Sequence, residues 1–230
     1  MAEIIDNTYF EKGSLYIPNN KDLVVEPTGA PTIVTELDSF IKKYERKLLI
    51  NALGVTLYDL LQVALAKLPF AVDTDPPTLG TADQKWIDLV NGKNYTNADG
   101  NVKRWNGLKG YDKQSVIAFY IFTEYLRNDN ETYATVGTVK SDSKNATNVS
   151  ATPKLIKANN EFIELYQGSS VVTQPIVLVN GFGSIGYDWF GSDSVEVSLL
   201  KYLLDSNEAD ITAFPDFEFK FYNNLNSFGI

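Results

Sequence analysis

The apolar stretch in the middle of the chain is the feature that most constrains its fold. Between Ser115 and Leu126 the only polar residues are Ser115, Thr123 and Glu124. A helix over 113–127 therefore has almost no face suited to water. Because neighbouring elements must cover such a helix on nearly all sides, we predict that it is central and that the core is built around it.

Other segments show the spacing of amphipathic helices. Apolar residues recur every three or four positions over 33–49 and again over 57–68, with Gly54 between the two runs. This pattern predicts two consecutive helices joined near Gly54. Further helices are predicted over 81–92, 153–166 and 195–204.

The predicted fold class is mainly α, with a helical, connector-like core. We expect an extended N-terminal arm over 1–31 with one or two short strands, a helical core domain over 32–168, and a mixed α/β acidic region over 169–230. The Asp99-Gly100 pair predicts a small hairpin near 95–105. The polar segment 128–150 is too long for an ordinary connection, which indicates a functional or partner-ordered loop. The last region also holds an alternating run of Phe217, Phe219 and Phe221.

The chain contains neither cysteine nor histidine. This excludes disulfides, thiolate nucleophiles, cysteine-ligated zinc and the Ser-His-Asp relay. Any catalysis would depend on carboxylates, Lys, Tyr, Ser or Arg. The composition favours a binding or structural role, and we expect no enzyme activity, catalytic residue, cofactor or metal.

Acidic residues outnumber basic ones by 29 to 20, which gives a net charge of −9. Residues 169–230 hold 8 acids and 2 bases, so most of the excess lies there. Such a balance argues against a general nucleic-acid binder or a binder of anionic membranes. We see neither a signal peptide nor an apolar run of the roughly 20 residues that cross a bilayer, so we expect a cytosolic chain without membrane contact.

A glycine string offers one alternative function. Gly181, Gly183 and Gly186 form a G-x-G-x-x-G pattern directly after the apolar run 176–179, as in a dinucleotide-binding protein. In such proteins a helix begins inside the motif and holds the pyrophosphate. Here any such helix meets Gly191 within one or two turns, so a turn between strands is favoured over a cofactor site.

Basic and aromatic residues around the predicted hairpin offer a second alternative. Lys103 and Arg104, with interleaved aromatic rings, could hold a nucleic-acid backbone in a nucleic-acid-binding module. Nearby acids and the negative whole favour an ordinary surface or a subunit contact. The hairpin group comprises Lys93, Lys103, Arg104, Lys109, Lys113, Tyr95, Trp105 and Tyr111, and a second basic group on the first helix comprises Lys42, Lys43, Arg46 and Lys47.

Four stretches carry a resemblance to a known family. They are 44–61 (YERKLLINALGVTLYDLL), 105–128 (WNGLKGYDKQSVIAFYIFTEYLRN), 137–166 with its GTVK and SKNATNVS strings, and 226–230 (NSFGI). In these stretches the chain resembles the neck or ring proteins that connect head to tail in tailed phages, especially those of crAss-like and other Bacteroidota-infecting phages. The resemblance is one of overall pattern and includes no short motif with a chemical mechanism.

The resemblance implies a structural virion protein of the neck, assembled in the host cytoplasm. It implies a ring of identical copies, commonly twelve, docked beneath the portal protein and followed by the next ring or a tail component. The genomic DNA would pass through the ring without sequence-specific binding. No catalytic, cofactor or metal residue comes with the family. A negative channel wall would repel phosphates, which leads us to expect a channel that does not retain DNA.

Overall fold

The chain is mainly helical, as its sequence predicts. A computed structural model describes residues 3–17, 24–25, 31–32, 36–67, 83–129, 132–134, 137–139, 152–168 and 195–223. Within these ranges the helices are α1 (Glu36–Leu65), α2 (Gln84–Asn91), α3 (Val116–Asp129), α4 (Thr152–Gln167) and α5 (Leu199–Ala209). The strands form antiparallel pairs, β1 (Val24–Val25) with β2 (Pro31–Thr32), β3 (Lys93–Thr96) with β4 (Val102–Trp105), and β5 (Thr132–Ala134) with β6 (Gly137–Val139).

Helix α3 is the central element. It packs against both α1 and α4, and every side chain from position 116 to 122 is buried. Its N-terminus is capped by Ser115, whose hydroxyl oxygen accepts the N–H groups of Ile117 and Ala118 at 3.1 Å each. The prediction of a central helix without a solvent-facing side is thus confirmed at its first two turns.

Helix α1 is broken at Gly54. This residue has φ 79° and ψ 167°, so two helical segments meet there, as the sequence predicts. In an unbroken helix the Asn51 carbonyl would accept the N–H of Val55. Here the Asn51 carbonyl accepts the N–H of Lys220 at 2.7 Å, which brings the C-terminal segment onto the break.

By length and composition, one helical stretch of the described residues could cross a bilayer, contrary to the expectation of no such run. It is Leu37–Leu65, with a mean hydropathy of 1.7 in its most apolar window. A core helix meets the same criterion, and 56% of that window is buried inside the protein. We therefore attribute its apolar character to the core.

Residues 3–17 differ from the predicted extended arm. They form two short 3-10 turns, Asn7–Phe10 and Gly13–Leu15, and fold back onto the core. The Ile17 N–H donates to the Phe10 carbonyl at 3.0 Å, closing the second turn against the first. The physical reason is burial at irregular spacing, which a period of two does not detect. The buried side chains are Ile4, Ile5, Phe10, Leu15 and Ile17.

The acidic C-terminal region is described over 195–223 only. Ser198 caps α5 by accepting the Lys201 N–H at 3.3 Å, and α5 begins later than predicted. Just before the helix, the main chain at Glu196 pairs with that of Arg104 in an isolated parallel β-bridge. This pairing adds one short extended segment to the hairpin. The predicted loop 128–150 contains β5 and β6, while its remaining positions from 140, and the glycine string, lie outside the described residues.

Candidate functional site

A polar pocket of about 350 Å³ lies at the base of the β3–β4 hairpin. Its lining includes Asn91, Asn94, Arg104, Asn106 and Tyr111. The hairpin turn contains the Asp99-Gly100 pair. The pocket is therefore built from the basic and aromatic stretch that the sequence singled out.

Two glycines beside the pocket allow two segments of main chain to approach each other closely. Gly92 has φ 92° and Gly107 has φ 81°, a region that favours glycine. A Cβ on Gly92 would lie 2.6 Å from the Trp105 carbonyl oxygen, and one on Gly107 would lie 2.5 Å from the Asn91 carbonyl carbon. The main chain at Gly92, which lines the pocket, thus packs directly against the main chain that follows β4.

The inner face of the hairpin is anchored to α2 and α5. The Trp105 indole N–H donates to the Leu89 carbonyl at 3.0 Å, and its ring stacks on Tyr202 with centroids 5.5 Å apart. The Tyr95 hydroxyl donates to Asp205 Oδ2 at 2.7 Å, and Asp205 Oδ1 pairs with Lys201 Nζ at 2.9 Å. The Trp105 indole and the Tyr95 hydroxyl therefore hold the hairpin in place against these two helices.

Strand alternation separates the two residues predicted as nucleic-acid contacts. Successive side chains of a strand point to opposite faces. Lys103 is 2% exposed and already has a partner within the protein. Arg104 points outward, with its guanidinium 5.8 Å from the centroid of Tyr111, a ring that is 72% exposed. Only Arg104 of this pair can reach a ligand.

Most other cations of the hairpin group are engaged internally. Lys93 Nζ pairs with Asp88 Oδ2 at 2.9 Å, and Lys113 Nζ donates to the Thr8 hydroxyl at 2.9 Å. Burial lowers the pKa of the Lys109 ammonium. Of the ion pairs formed by the described residues, none includes Arg104.

The basic group on α1 is likewise occupied by intramolecular contacts. Lys42 pairs with Glu3 at 3.3 Å and Lys47 with Glu124 at 3.7 Å. The other two cations lie over aromatic rings of the same helix: Lys43 over Tyr44 at 4.9 Å and Arg46 over Tyr58 at 6.0 Å. This group holds the N-terminal segment and α3 against α1, so it offers fewer free cations than the sequence suggests.

An unpaired acceptor completes the pocket. Asn106 Oδ1 is buried and has no hydrogen-bond partner among the described residues. A buried acceptor left unsatisfied costs about 1–3 kcal/mol. The exposed Arg104 guanidinium suits the pocket to a group that carries a negative oxygen. In the part of the chain that the structure describes, no three acidic side chains cluster as a metal site.

Sequence reasoning missed the buried carboxyl of Glu45. It is 3% exposed and accepts the N–H of Ile4 at 3.0 and 3.2 Å and that of Ile5 at 3.3 Å. Burial is the main cause that raises its pKa to about 8. A signal was available, because Ile41 and Leu49, four positions before and after it, are buried and apolar.

Comparisons with known proteins give no relative for this site or for the chain. No protein-family model matches, no curated protein matches, and no solved structure matches.

Proposed function

We propose that the chain is a structural virion protein that forms an oligomeric ring joining the portal to the tail. One observation carries the proposal: two of the stretches that resemble phage neck proteins, 44–61 and 105–128, meet in the core. The Tyr44 and Tyr120 rings lie 6.3 Å apart, edge to face, and Lys47 pairs with Glu124 at 3.7 Å. The resemblance thus covers one packed helical unit formed by α1 and α3.

The partners follow from this role. The first is the chain itself, in a homo-oligomeric ring of about twelve copies, the number that the resemblance implies. A head-to-tail contact repeated around an axis closes into a ring when the rotation allows it. The portal protein would bind on one side, and the next ring or a tail component on the other.

Genomic DNA would pass through the ring without being held. The net charge of −9 supports this, because fixed acids repel phosphates and release no counterions from DNA. A strongly basic inner surface of the assembled ring would contradict a non-sticking channel.

Native mass spectrometry and electron microscopy of the full chain test the ring directly. The chain is measured alone and mixed with the portal protein of the same phage. A ring of defined stoichiometry, alone or on the portal, is the expected result. A chain that stays monomeric, fails to bind the portal and binds a dinucleotide through its glycine string would contradict the proposal.

Direct nucleic-acid binding is the alternative that the hairpin allows. Burial of Lys103 weakens it, since one exposed guanidinium remains of the proposed pair. The test is Arg104→Glu alone, because Lys103→Glu would bury a carboxyl group. Under the ring proposal, the isolated chain and its Arg104→Glu variant bind double-stranded DNA equally weakly in a gel-shift assay, whereas a loss of clear binding in the variant would favour the nucleic-acid-binding module.

A further inference from the structure

No strand of the described residues pairs with the outer edge of β3. The main-chain N–H and carbonyl of Arg104 both point away from β3. The N–H donates to the Val195 carbonyl at 2.7 Å, and the carbonyl accepts the Val197 N–H at 3.0 Å. Asn94 stands opposite Arg104 in the antiparallel register. Opposite residues of such a pair share their hydrogen-bonding orientation, so the N–H and carbonyl of Asn94 also point away from the hairpin.

The same argument applies two residues along the strand. Thr96 stands opposite Val102, so its main-chain groups point outward like those of Asn94. Among the described residues β3 pairs with β4 alone. An edge of this kind is a template on which an extended segment can add as another strand.

The polar pocket lies beside this edge. Asn94 and Arg104 project to the same face because they are directly opposite. Among the described residues no ion pair includes this guanidinium, so a strand added along β3 could bring a carboxylate to it. Main-chain pairing together with one guanidinium fits an extended peptide that carries an acidic side chain.

We propose that an extended acidic segment of a neighbouring copy of this chain adds to the edge of β3 and places a carboxylate on Arg104. The proposal rests on the ring function above and names the surface of one contact in that ring. Each copy carries both the basic pocket and an excess of nine acids. One contact repeated head to tail therefore pairs every Arg104, as a closed ring requires.

Two variants separate the main-chain and charge components of this contact. Asn94→Pro removes the outward N–H but leaves the β3–β4 hydrogen bonds, since proline is tolerated on an edge strand with its nitrogen facing solvent. Arg104→Glu places like charges together. We expect each change to weaken association between copies roughly tenfold or more, the equivalent of one lost charge-assisted or main-chain contact. Val102→Thr is the matched control: it lies on the same face, away from the pocket, and should leave association unchanged.

Photo-crosslinking of the full chain identifies the occupant. A benzophenone amino acid replaces Thr96, and the protein is irradiated in solution and again after mixing with the portal. The expected product has the mass of two copies, and its mapped peptide contains Asp or Glu. No product, a product with the portal alone, or a mapped peptide without acids would overturn the inference. Electron microscopy of the same samples keeps the two proposals apart: rings without this product refute the β3 contact only, whereas the absence of rings counts against the ring function.

Discussion

The side-chain amide of Asn51 donates a hydrogen bond to the Tyr222 hydroxyl at 2.7 Å. This contact joins the first long helix to a residue 171 positions later in the chain. Gln167, the last residue of α4, holds the main chain of Tyr222 on both sides: it donates to the carbonyl and accepts the N–H, at 2.9 Å each. Residues 217–223, here named the C-terminal strap, are thus tied to α1 and α4.

The C-terminal strap should contribute much of the stability of the helical core. The Tyr222 ring contacts those of Tyr120, Phe162 and Tyr166, with centroids 5.1 to 5.7 Å away. We expect Tyr222→Ala to lower the free energy of unfolding by about 3 kcal/mol, measured by urea denaturation. Tyr222→Phe should lose about 1 kcal/mol, the value of one hydrogen bond.

The neighbouring position supplies the control for that series. Phe221 is 54% exposed, so Phe221→Ala should cost well under half as much as Tyr222→Ala. Equal losses at the two positions would mean that the C-terminal strap does not pack as described.

The close approach of main chain beside the pocket should make Gly107 intolerant of any side chain. Gly107→Ala would combine a left-handed φ with a Cβ 2.5 Å from the main chain of Asn91 and Gly92. We expect the free energy of unfolding to fall by about 3 kcal/mol or more, because the two main-chain segments must move apart. Gly100→Ala is a close control, since Gly100 has the same φ of 81° with nothing within 4 Å of the added carbon. It should cost about 1 kcal/mol, and similar thermal midpoints for both variants would refute the close packing.

The buried carboxyl of Glu45 should make folding stability depend on pH. Its pKa in the folded chain is about 8, above the ordinary value of 4.5, so the folded state binds more protons between those values. The contribution of Glu45 to stability is therefore fully present below pH 4.5 and is lost as the pH rises towards 8, by up to about 1.4 kcal/mol per pH unit. Because the chain has no histidine, no imidazole group titrates between pH 4.5 and 8.

Glu45→Gln separates this residue from the others. Its amide oxygen can still accept the Ile4 N–H, but it does not ionise, so most of the slope between pH 5 and 8 should disappear. Burial also raises the pKa of Glu164, which leaves a smaller residual slope. Urea midpoints measured at several pH values give both slopes, and parallel curves for the two proteins would disprove the role of Glu45.

The carboxylate of Asp205 should matter more than exposed acids of the same helix. It is buried and joins β3 to α5 through Tyr95 and Lys201. We expect Asp205→Ala to lower the free energy of unfolding by about 2–4 kcal/mol, with little dependence on salt, because it removes the buried carboxylate that the Lys201 ammonium and the Tyr95 hydroxyl both contact. Glu208→Ala, at an exposed position of α5, should change stability by less than about 0.5 kcal/mol. Equal changes in stability for Asp205→Ala and Glu208→Ala would mean that the Asp205 side chain is exposed to solvent.

The parts of the fold that could be predicted follow from local pattern. The apolar run 116–122 requires a buried helix, and Gly54 interrupts a spacing that is otherwise continuous. Strand β4 shows the limit of such reasoning, because it buries Lys103 and Trp105 on one face and exposes Val102 on the other. Which face is inward depends on the partners Tyr202 and Asp205, far away in the sequence. For the same reason, no local pattern indicated that Arg104, and not Lys103, would face the pocket.

The C-terminal strap also determines when the core of this chain can be completed during synthesis. The aromatic cluster gathers rings from positions 120, 162 and 166 but is closed by Phe219 and Tyr222. Contacts of such long sequence separation form late, because the loop-closure entropy must be lost first. A nascent chain therefore keeps Phe162 and Tyr166 uncovered until the ribosome has made residue 222. Completion of the core therefore requires synthesis as far as residue 222, and shorter chains leave apolar surface open to chaperones and proteases.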